Sequence, residues 1–235
     1  MHVFHPDGPS LVELLTQAAT STVRGYDLLA EKFDYTPFRT PSAILDGVTR
    51  EIGACDVGID LCCGTGAGLG RLAGITRRRA VGVDFSPGML AVAARAVPTA
   101  ELIEADVLSL PDRPELKGAF DAATCFGAFG HLEHPDQPRF AEALAHVLRP
   151  GGRFVFVTPK DPPVLSRGYL LSKGFNATLR FRNMLWKPEF VMYYLNFLLP
   201  QAEEVLRPAG FELRVKEDAL AAPFDKYLLV TAERI

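Results

Sequence analysis

Apolar residues along the chain predict an alternation of strands and helices. Val57, Ile59 and Leu61 alternate before a glycine-rich turn, which is typical of a strand that leads into a helix. Alternating strands and helices favour a parallel sheet covered on both faces, the doubly wound α/β class. The predicted strands are 57–61, 80–83, 100–103, 120–126 and 153–158, and the predicted helices between them are 69–74, 88–96 and 137–147.

Helical patterns also dominate the start of the chain. Ser10 is placed to cap a helix over 11–20, and a second helical pattern covers 23–33. Prolines at 37 and 41 predict an extended segment over 34–41, because a residue before proline avoids the helical region. A third helix over 42–52 leads into the first strand. We therefore predict a single domain over 1–235, with residues 1–52 as a helical cap.

Composition narrows the class of protein. The chain has 235 residues, of which 48% are hydrophobic and 23% charged, with a net charge of −3. This balance is typical of a soluble globular protein and gives no indication of nucleic-acid binding. No signal peptide is recognisable, and no run reaches the roughly 18 apolar residues of a membrane span. We expect a cytoplasmic protein without stable membrane insertion.

The cysteines do not suggest a disulfide framework or a metal site. They fall in or beside predicted buried strands, without paired C-x-x-C spacing. We interpret them as reduced core thiols. They are Cys55, Cys62, Cys63 and Cys125.

The stretch VGIDLCCGTGAGLG, from Val57 to Gly70, contains the strongest local signal. Gly64, Thr65 and Gly66 allow a sharp turn and a close approach of the backbone to a ligand. Asp60 lies at the carboxyl end of the first strand, where doubly wound sheets bind ligands. An ordinary glycine-rich turn is the alternative interpretation.

Two further acids follow later strand ends. Asp84 lies twenty positions past Gly64, the separation at which nucleotide-binding folds place an acid on ribose hydroxyls. A helix N-cap is the alternative role, but Ser86 before Pro87 is able to cap that helix. Asp106 could accept a hydrogen bond from an exocyclic amine such as that of adenine, with Val107 against the ring.

Five motifs in order and spacing resemble those of class I methyltransferases that use S-adenosyl-L-methionine, particularly small-molecule enzymes of ubiquinone and menaquinone biosynthesis. They are DLCCGTG, VDFSPGML, EADVLSLP, FDAATCFGAFGHL and LRPGGRFVFVTP. The tail, AEEVLRPAGFELRV and KYLLVTAERI, resembles the last helix and closing hairpin of that family. The resemblance implies a three-layer, Rossmann-like fold with a seven-stranded, mostly parallel sheet, whose last strand lies antiparallel between the fifth and sixth.

The resemblance also implies the cofactor S-adenosylmethionine, the product S-adenosylhomocysteine and a set of binding residues. The glycine loop would hold the methionine portion, and the later acids would hold the ribose and adenine. Two tyrosines of the N-terminal cap would close over the methionine end. Cys62 stands where the family usually has glycine, which we expect to be tolerated only at a negative φ. The implied cofactor residues are Tyr26, Tyr35, Asp60, Cys62, Gly64, Thr65, Gly66, Asp84, Phe85, Asp106, Val107, Cys125 and Phe126.

Methyl transfer from a sulfonium mainly requires alignment of the acceptor and exclusion of water. If the acceptor must lose a proton, His131, in the loop after the fourth strand, is the candidate base. A structural role for the histidines of GHLEH is the alternative. His131, Glu133 and His134 are a poor zinc set without a third firm ligand, and we predict no metal.

Residues 159–200 are predicted to form a lid over the acceptor, inserted between the fifth strand and the last helix. The segment has six basic residues against two acidic ones and many large apolar side chains. Core packing or a dimer surface explains the helical spacing of the aromatic residues equally well. The combination of basic and apolar residues is also compatible with shallow contact with lipid. The candidate lid residues are Trp186, Phe190, Tyr193, Tyr194 and Phe197.

The leading hypothesis is transfer of a methyl group to a small, apolar or aromatic acceptor by a monomer or homodimer. A nicotinamide-dependent oxidoreductase is a second hypothesis, but its fingerprint needs a glycine where Leu69 or Arg71 stands. A non-catalytic protein that binds S-adenosylmethionine is a third, disfavoured by the intact acids at 60, 84 and 106.

Overall fold

Strands and helices alternate in the computed structural model, which describes residues 4–187 and 189–235. Within these residues the chain forms a seven-stranded sheet and eight α-helices, with short 3₁₀ turns between them. The strands are β1 (Cys55–Leu61), β2 (Thr76–Asp84), β3 (Glu101–Glu104), β4 (Phe120–Cys125), β5 (Leu148–Pro159), β6 (Phe211–Lys216) and β7 (Tyr227–Arg234). The helices are α1 (Leu11–Ala19), α2 (Thr22–Leu29), α3 (Ser42–Ile52), α4 (Ala67–Ala73), α5 (Pro87–Ala96), α6 (Gln137–Val147), α7 (Arg167–Leu185) and α8 (Leu199–Leu206).

The strand order is β3-β2-β1-β4-β5-β7-β6. β7 runs antiparallel to both of its neighbours, and the other strands are parallel to one another. The predicted fold, including the closing hairpin, is therefore confirmed. The chain moves outward from β1 to β3 and then returns to β4, so the strand order reverses between β1 and β4. Ligands of doubly wound sheets bind at such a reversal.

Both faces of the sheet are buried, as the apolar strand sequences require. Ala122 and Val155 belong to an apolar cluster with residues of α3 and α4. Their neighbours Ala123 and Phe154 belong to the cluster that contains residues of α6 and α8. This alternation follows from the two-residue period of a strand, and it gives the layered arrangement of helix, sheet and helix.

Two strands begin at least four residues earlier than predicted, and the other predicted strands agree with the observed ones to within two residues. β2 begins at Thr76 rather than at 80, and its charged start is compatible with pairing because Arg79 forms an ion pair with Glu101 of β3. Residues 149–152, predicted as a turn, lie inside β5. There the register with β4 shifts and Gly151 adopts a φ of 76°, so these residues form a bulge.

The cap also departs from prediction. α2 ends at Leu29, and a 3₁₀ helix continues from Ala30 to Tyr35, so the predicted helix to Phe33 and the predicted extension at Asp34 and Tyr35 are wrong. The restriction before proline acts only on the preceding residue. Thr36, directly before Pro37, is indeed extended, with φ −103° and ψ 158°.

The insertion over 159–200 has two parts. α7 spans 19 residues, and the described residues between it and α8 are not helical. No helix in the described parts of the chain is both long and apolar enough to cross a membrane.

Candidate active site

The predicted acids meet at the carboxyl edge of the sheet. Asp60, in β1, lies opposite Gly82 of β2 and Thr124 of β4. Asp84 is the last residue of β2, and Asp106 follows the end of β3 by two residues. The glycine loop leaves the same edge, so sequence-distant acids surround one loop.

The glycine loop is shaped by left-handed residues. Gly64 and Gly66 have φ values of 52° and 90°. A Cβ on Gly66 would also lie 3.2 Å from the Cα and Cβ of Ala93 in α5. Cys62 adopts a φ of 57°, so the expectation of a negative φ there is wrong. The turn after β1 requires this conformation, and its cost for a residue with a Cβ is about 1–2 kcal/mol.

Asp60 is a buried acid whose carboxylate accepts hydrogen bonds from neutral groups within the described residues. Its Oδ1 accepts a 2.7 Å hydrogen bond from Thr124 Oγ1, and the backbone of Leu69 is a further donor. Burial raises its pKa to about 7, because desolvation disfavours the charged form more than these donors favour it. Gly68 makes room for the carboxylate, since a Cβ there would lie 2.8 Å from Asp60 Oδ2.

Asp84 ties the glycine loop to the end of β2. Its Oδ2 accepts from Gly64 N at 2.8 Å and its Oδ1 from Ser86 N at 2.9 Å. Burial raises the pKa of Asp84, although the hydrogen bonds from these backbone donors act to lower it. Ser86 caps α5 through Met89 N at 3.1 Å, as predicted, so Asp84 is not the cap.

Two acids of the cap contact the site, and the sequence did not point to either. Asp27 Oδ1 accepts from Ser86 Oγ at 2.6 Å and from Gly88 N at 3.0 Å. Asp34 Oδ1 accepts from Thr65 Oγ1 at 2.7 Å. The cap is thus bound to both the glycine loop and the start of α5.

Tyr26 and His131 form a hydrogen-bonded pair, with 2.8 Å between Tyr26 Oη and His131 Nε2. His131 Nδ1 contacts the carbonyl of Val191, which only accepts, so Nδ1 holds the proton and Nε2 accepts from the tyrosine. Burial lowers the pKa of His131 and raises that of Tyr26, so both side chains are neutral near pH 7.

The predicted adenine side is open. Asp106 is exposed, and its Oδ1 accepts from Leu108 N at 2.9 Å, whereas Val107 is buried. The Phe85 ring lies 6.3 Å from the Tyr26 ring. The Tyr35 ring stacks on that of His5, with 4.8 Å between the ring centroids. Within the described residues, Tyr35 makes no ring contact with Tyr26 or with the aromatic rings around Tyr26.

Phe126 and two cysteines line the end of β4 and the loop opposite it. A Cβ on Gly68 would lie 2.4 Å from the Phe126 ring, so this ring packs directly on α4. The Cys62 thiol contacts that of Cys125, and this contact, together with burial, raises the pKa of Cys62. All the cysteines are free thiols.

The predicted lid aromatics fall into different environments. Phe197 stacks on Phe129 at 4.8 Å within the main core. Tyr193 is buried and its backbone N donates to Gly130 O at 2.7 Å, next to His131. Phe190 is buried against Gly25 of the cap, and Trp186 and Tyr194 are exposed.

Sequence comparisons agree with this geometry. The family described as a methyltransferase domain matches residues 59–152. A demethylmenaquinone methyltransferase of Thermus thermophilus is 37% identical over 172 residues, which are 66% of this chain and 74% of the relative. Another from Bacillus cereus is 29% identical over 119 residues, and the chain spans 49% of its length.

Solved structures share the fold. An O-methyltransferase family protein from Burkholderia thailandensis aligns with a TM-score of 0.66 and 17% identity, over 98% of this chain and 65% of that one. DhpI in complex with SAH aligns with a TM-score of 0.65 and 19% identity, over 96% of this chain and 98% of that one. With the Thermus relative, these findings define a class: the chain belongs to the class I S-adenosylmethionine-dependent methyltransferases.

Proposed function

We propose that this enzyme binds S-adenosylmethionine between the glycine loop and the cap and methylates a small, apolar or aromatic acceptor. The observation that supports the cofactor position is the buried Asp60 beside left-handed Gly64 and Gly66. Because burial raises the pKa of Asp60 to about 7, a cationic ligand such as an amino group would stabilise the ionised carboxylate.

Each part of the cofactor has a matching residue. Asp60 would face the amino group, Asp84 the ribose hydroxyls, and Asp106 with Val107 the adenine. When bound, the sulfonium supplies an activated methyl group. The cap of residues 1–52, held by Asp27 and Asp34, would exclude water from it.

Aromatic surroundings favour an apolar acceptor. The Tyr26 ring lies 5.9 Å from that of Phe33 and 5.3 Å from that of His131, with Phe190 and Tyr193 buried on the segment that contacts them. The Thermus relative is named for action on demethylmenaquinone, a quinone. Residues 159–200 would close over an acceptor of this kind, with Phe190 and Tyr193 as its wall.

Tyr26 and His131 would remove the acceptor's proton. Because His131 Nε2 accepts from the tyrosine hydroxyl, Tyr26 can pass its proton to His131 as it receives one from the acceptor. The lowered pKa of His131 keeps the imidazole neutral and able to accept at pH 7.

Calorimetry tests the cofactor assignment. We expect saturable binding of S-adenosylhomocysteine, no binding of NADH, and loss of the former in Asp84→Ala. The control is Asp225→Ala, which changes an exposed acid and should bind like the wild type. Binding of NADH alone would contradict the cofactor, and wild-type affinity in Asp84→Ala would remove Asp84 from the site.

Transfer of a labelled methyl group tests the acceptor and the base. Quinols and phenols with apolar substituents should be methylated in preference to hydrophilic amines. His131→Gln should lower kcat about 100-fold and abolish the acidic limb of its pH profile. An unchanged kcat and profile would exclude His131 as the base without affecting the cofactor result.

A further inference from the structure

The outer surface of α7 is apolar, which is unusual for a helix at the edge of a globular protein. Six of its large apolar side chains are between 40% and 74% exposed, whereas Tyr169 and Leu179 are half-buried. A surface helix normally directs such residues toward the core. The exposed residues are Leu170, Leu171, Phe175, Phe181, Met184 and Leu185.

The inner side of the same helix carries polar side chains beside the half-buried Tyr169 and Leu179. Residues at spacings of three and four, among them Ser172, Asn176 and Asn183, are half-buried or buried. Asn176 exchanges hydrogen bonds of 2.8 and 2.9 Å with the backbone of Tyr194, and Asn183 exchanges bonds of 2.9 and 3.2 Å with that of Phe190. The helix is thus attached largely by amide groups, and the six exposed apolar side chains remain outside.

The basic residues of this segment indicate what would cover its apolar surface. No acidic residue lies between Asp161 and Glu189, whereas Arg167, Lys173, Arg180 and Arg182 do. Lys187, at the end of this range, is already paired with Glu189. A second copy of the chain packed helix to helix would bring like charges together. An anionic lipid surface would instead accept the apolar side chains and attract the cations.

We propose that α7 is a membrane-docking helix that lies in the interface of an anionic bilayer, with its apolar outer side chains inserted between lipids. It does not cross the bilayer, in keeping with the lack of a spanning helix in the described residues. This surface is separate from the acids of the cofactor site, and its occupation requires neither cofactor nor acceptor.

Trp186, the only tryptophan in the sequence, follows the end of α7 and is 59% exposed, so it is a built-in probe. Vesicles of mixed phosphatidylcholine and phosphatidylglycerol should shift its emission to shorter wavelength, and brominated lipid should quench it. Vesicles of phosphatidylcholine alone should produce much weaker binding, and added salt should weaken binding to the anionic ones.

Matched variants separate charge from apolar contact. Arg167→Glu with Lys173→Glu should weaken vesicle binding at least about 25-fold, because each cation near an anionic surface contributes about fivefold. Arg78→Glu with Lys117→Glu makes the same charge change at exposed residues of β2 and of the turn before β4, and should bind like the wild type. Leu171→Ser with Phe181→Ser should abolish the emission shift.

Three results would overturn the proposal. They are no partition to anionic vesicles, equal loss of binding in the α7 and control charge variants, and a concentration-dependent dimer that the serine variant dissociates while vesicles fail to bind. All variants change exposed side chains, so wild-type thermal unfolding is the check of folding. Binding of S-adenosylhomocysteine should be unchanged in each.

Discussion

Asp60→Asn should stabilise the free protein at pH 8 while removing cofactor binding. Burial raises the pKa of Asp60 from its usual 3.8 to about 7. Since one pKa unit is about 1.4 kcal/mol, the ionised folded form loses at most about 4 kcal/mol relative to the unfolded chain. The folded protein binds the extra proton between about pH 4 and pH 7, so stability falls as pH rises through that window and stays low above it.

An amide of the same shape removes this titration. Thr124 can accept a hydrogen bond from the new amide instead of donating to the carboxylate, so the contact is retained. The expected difference between variant and wild type is small at pH 4 and grows to a few kcal/mol at pH 8. We expect S-adenosylhomocysteine to lose measurable binding, because the amide has no charge for the amino group.

Urea denaturation at several pH values, with calorimetry on the same samples, measures both effects. Thr124→Val is the matched control: it deletes the hydroxyl donor, so the pKa of Asp60 should rise further and stability should keep falling to a higher pH, with a larger total loss. The reasoning is refuted if Asp60→Asn is less stable than wild type at pH 8, or if its stability difference does not depend on pH.

Three packing predictions use the same denaturation assay. Cys62→Gly should change stability by less than about 1 kcal/mol, because relief of the left-handed φ offsets lost packing, and a loss above about 2 kcal/mol would contradict this. Gly66→Ala should destabilise by about 1–3 kcal/mol through its φ and its contact with Ala93, and a neutral effect would contradict the loop geometry. Phe197→Ala should lose about 3–5 kcal/mol and Trp186→Ala under about 0.5, and equal losses would contradict their assigned burial.

The parallel part of the sheet was predictable because its signals were local. Period-two apolar runs identify the strands, and acids directly after them must lie at one edge when the strands are parallel. The positions of Asp60 and Asp84 beside the glycine loop follow from this rule. The hairpin with β7 followed from family resemblance rather than from periodicity.

The contacts that close the site were not predictable in the same way. Asp27 binds Ser86 across 59 positions, Asp34 binds Thr65 across 31, and Thr124 binds Asp60 across 64. Such side-chain pairs depend on how helices and loops dock, and no local period encodes them. Thr124 alone left a trace, as a hydroxyl in the apolar run AATCF opposite the first strand.

In the insertion, the helical spacing of the aromatics does not correspond to a helix in the described residues. The aromatics from Trp186 to Phe197 have helical spacing, but α7 ends at Leu185 and Pro188 follows in the sequence. Side-chain amides of Asn176 and Asn183 then bind backbone groups that a helix would have paired internally. These amides must face inward to do so, and they share the inner stripe with two large apolar side chains, Tyr169 and Leu179. The same requirement that holds the segment beside His131 leaves the six exposed apolar side chains of α7 outside, on the surface proposed to dock to lipid.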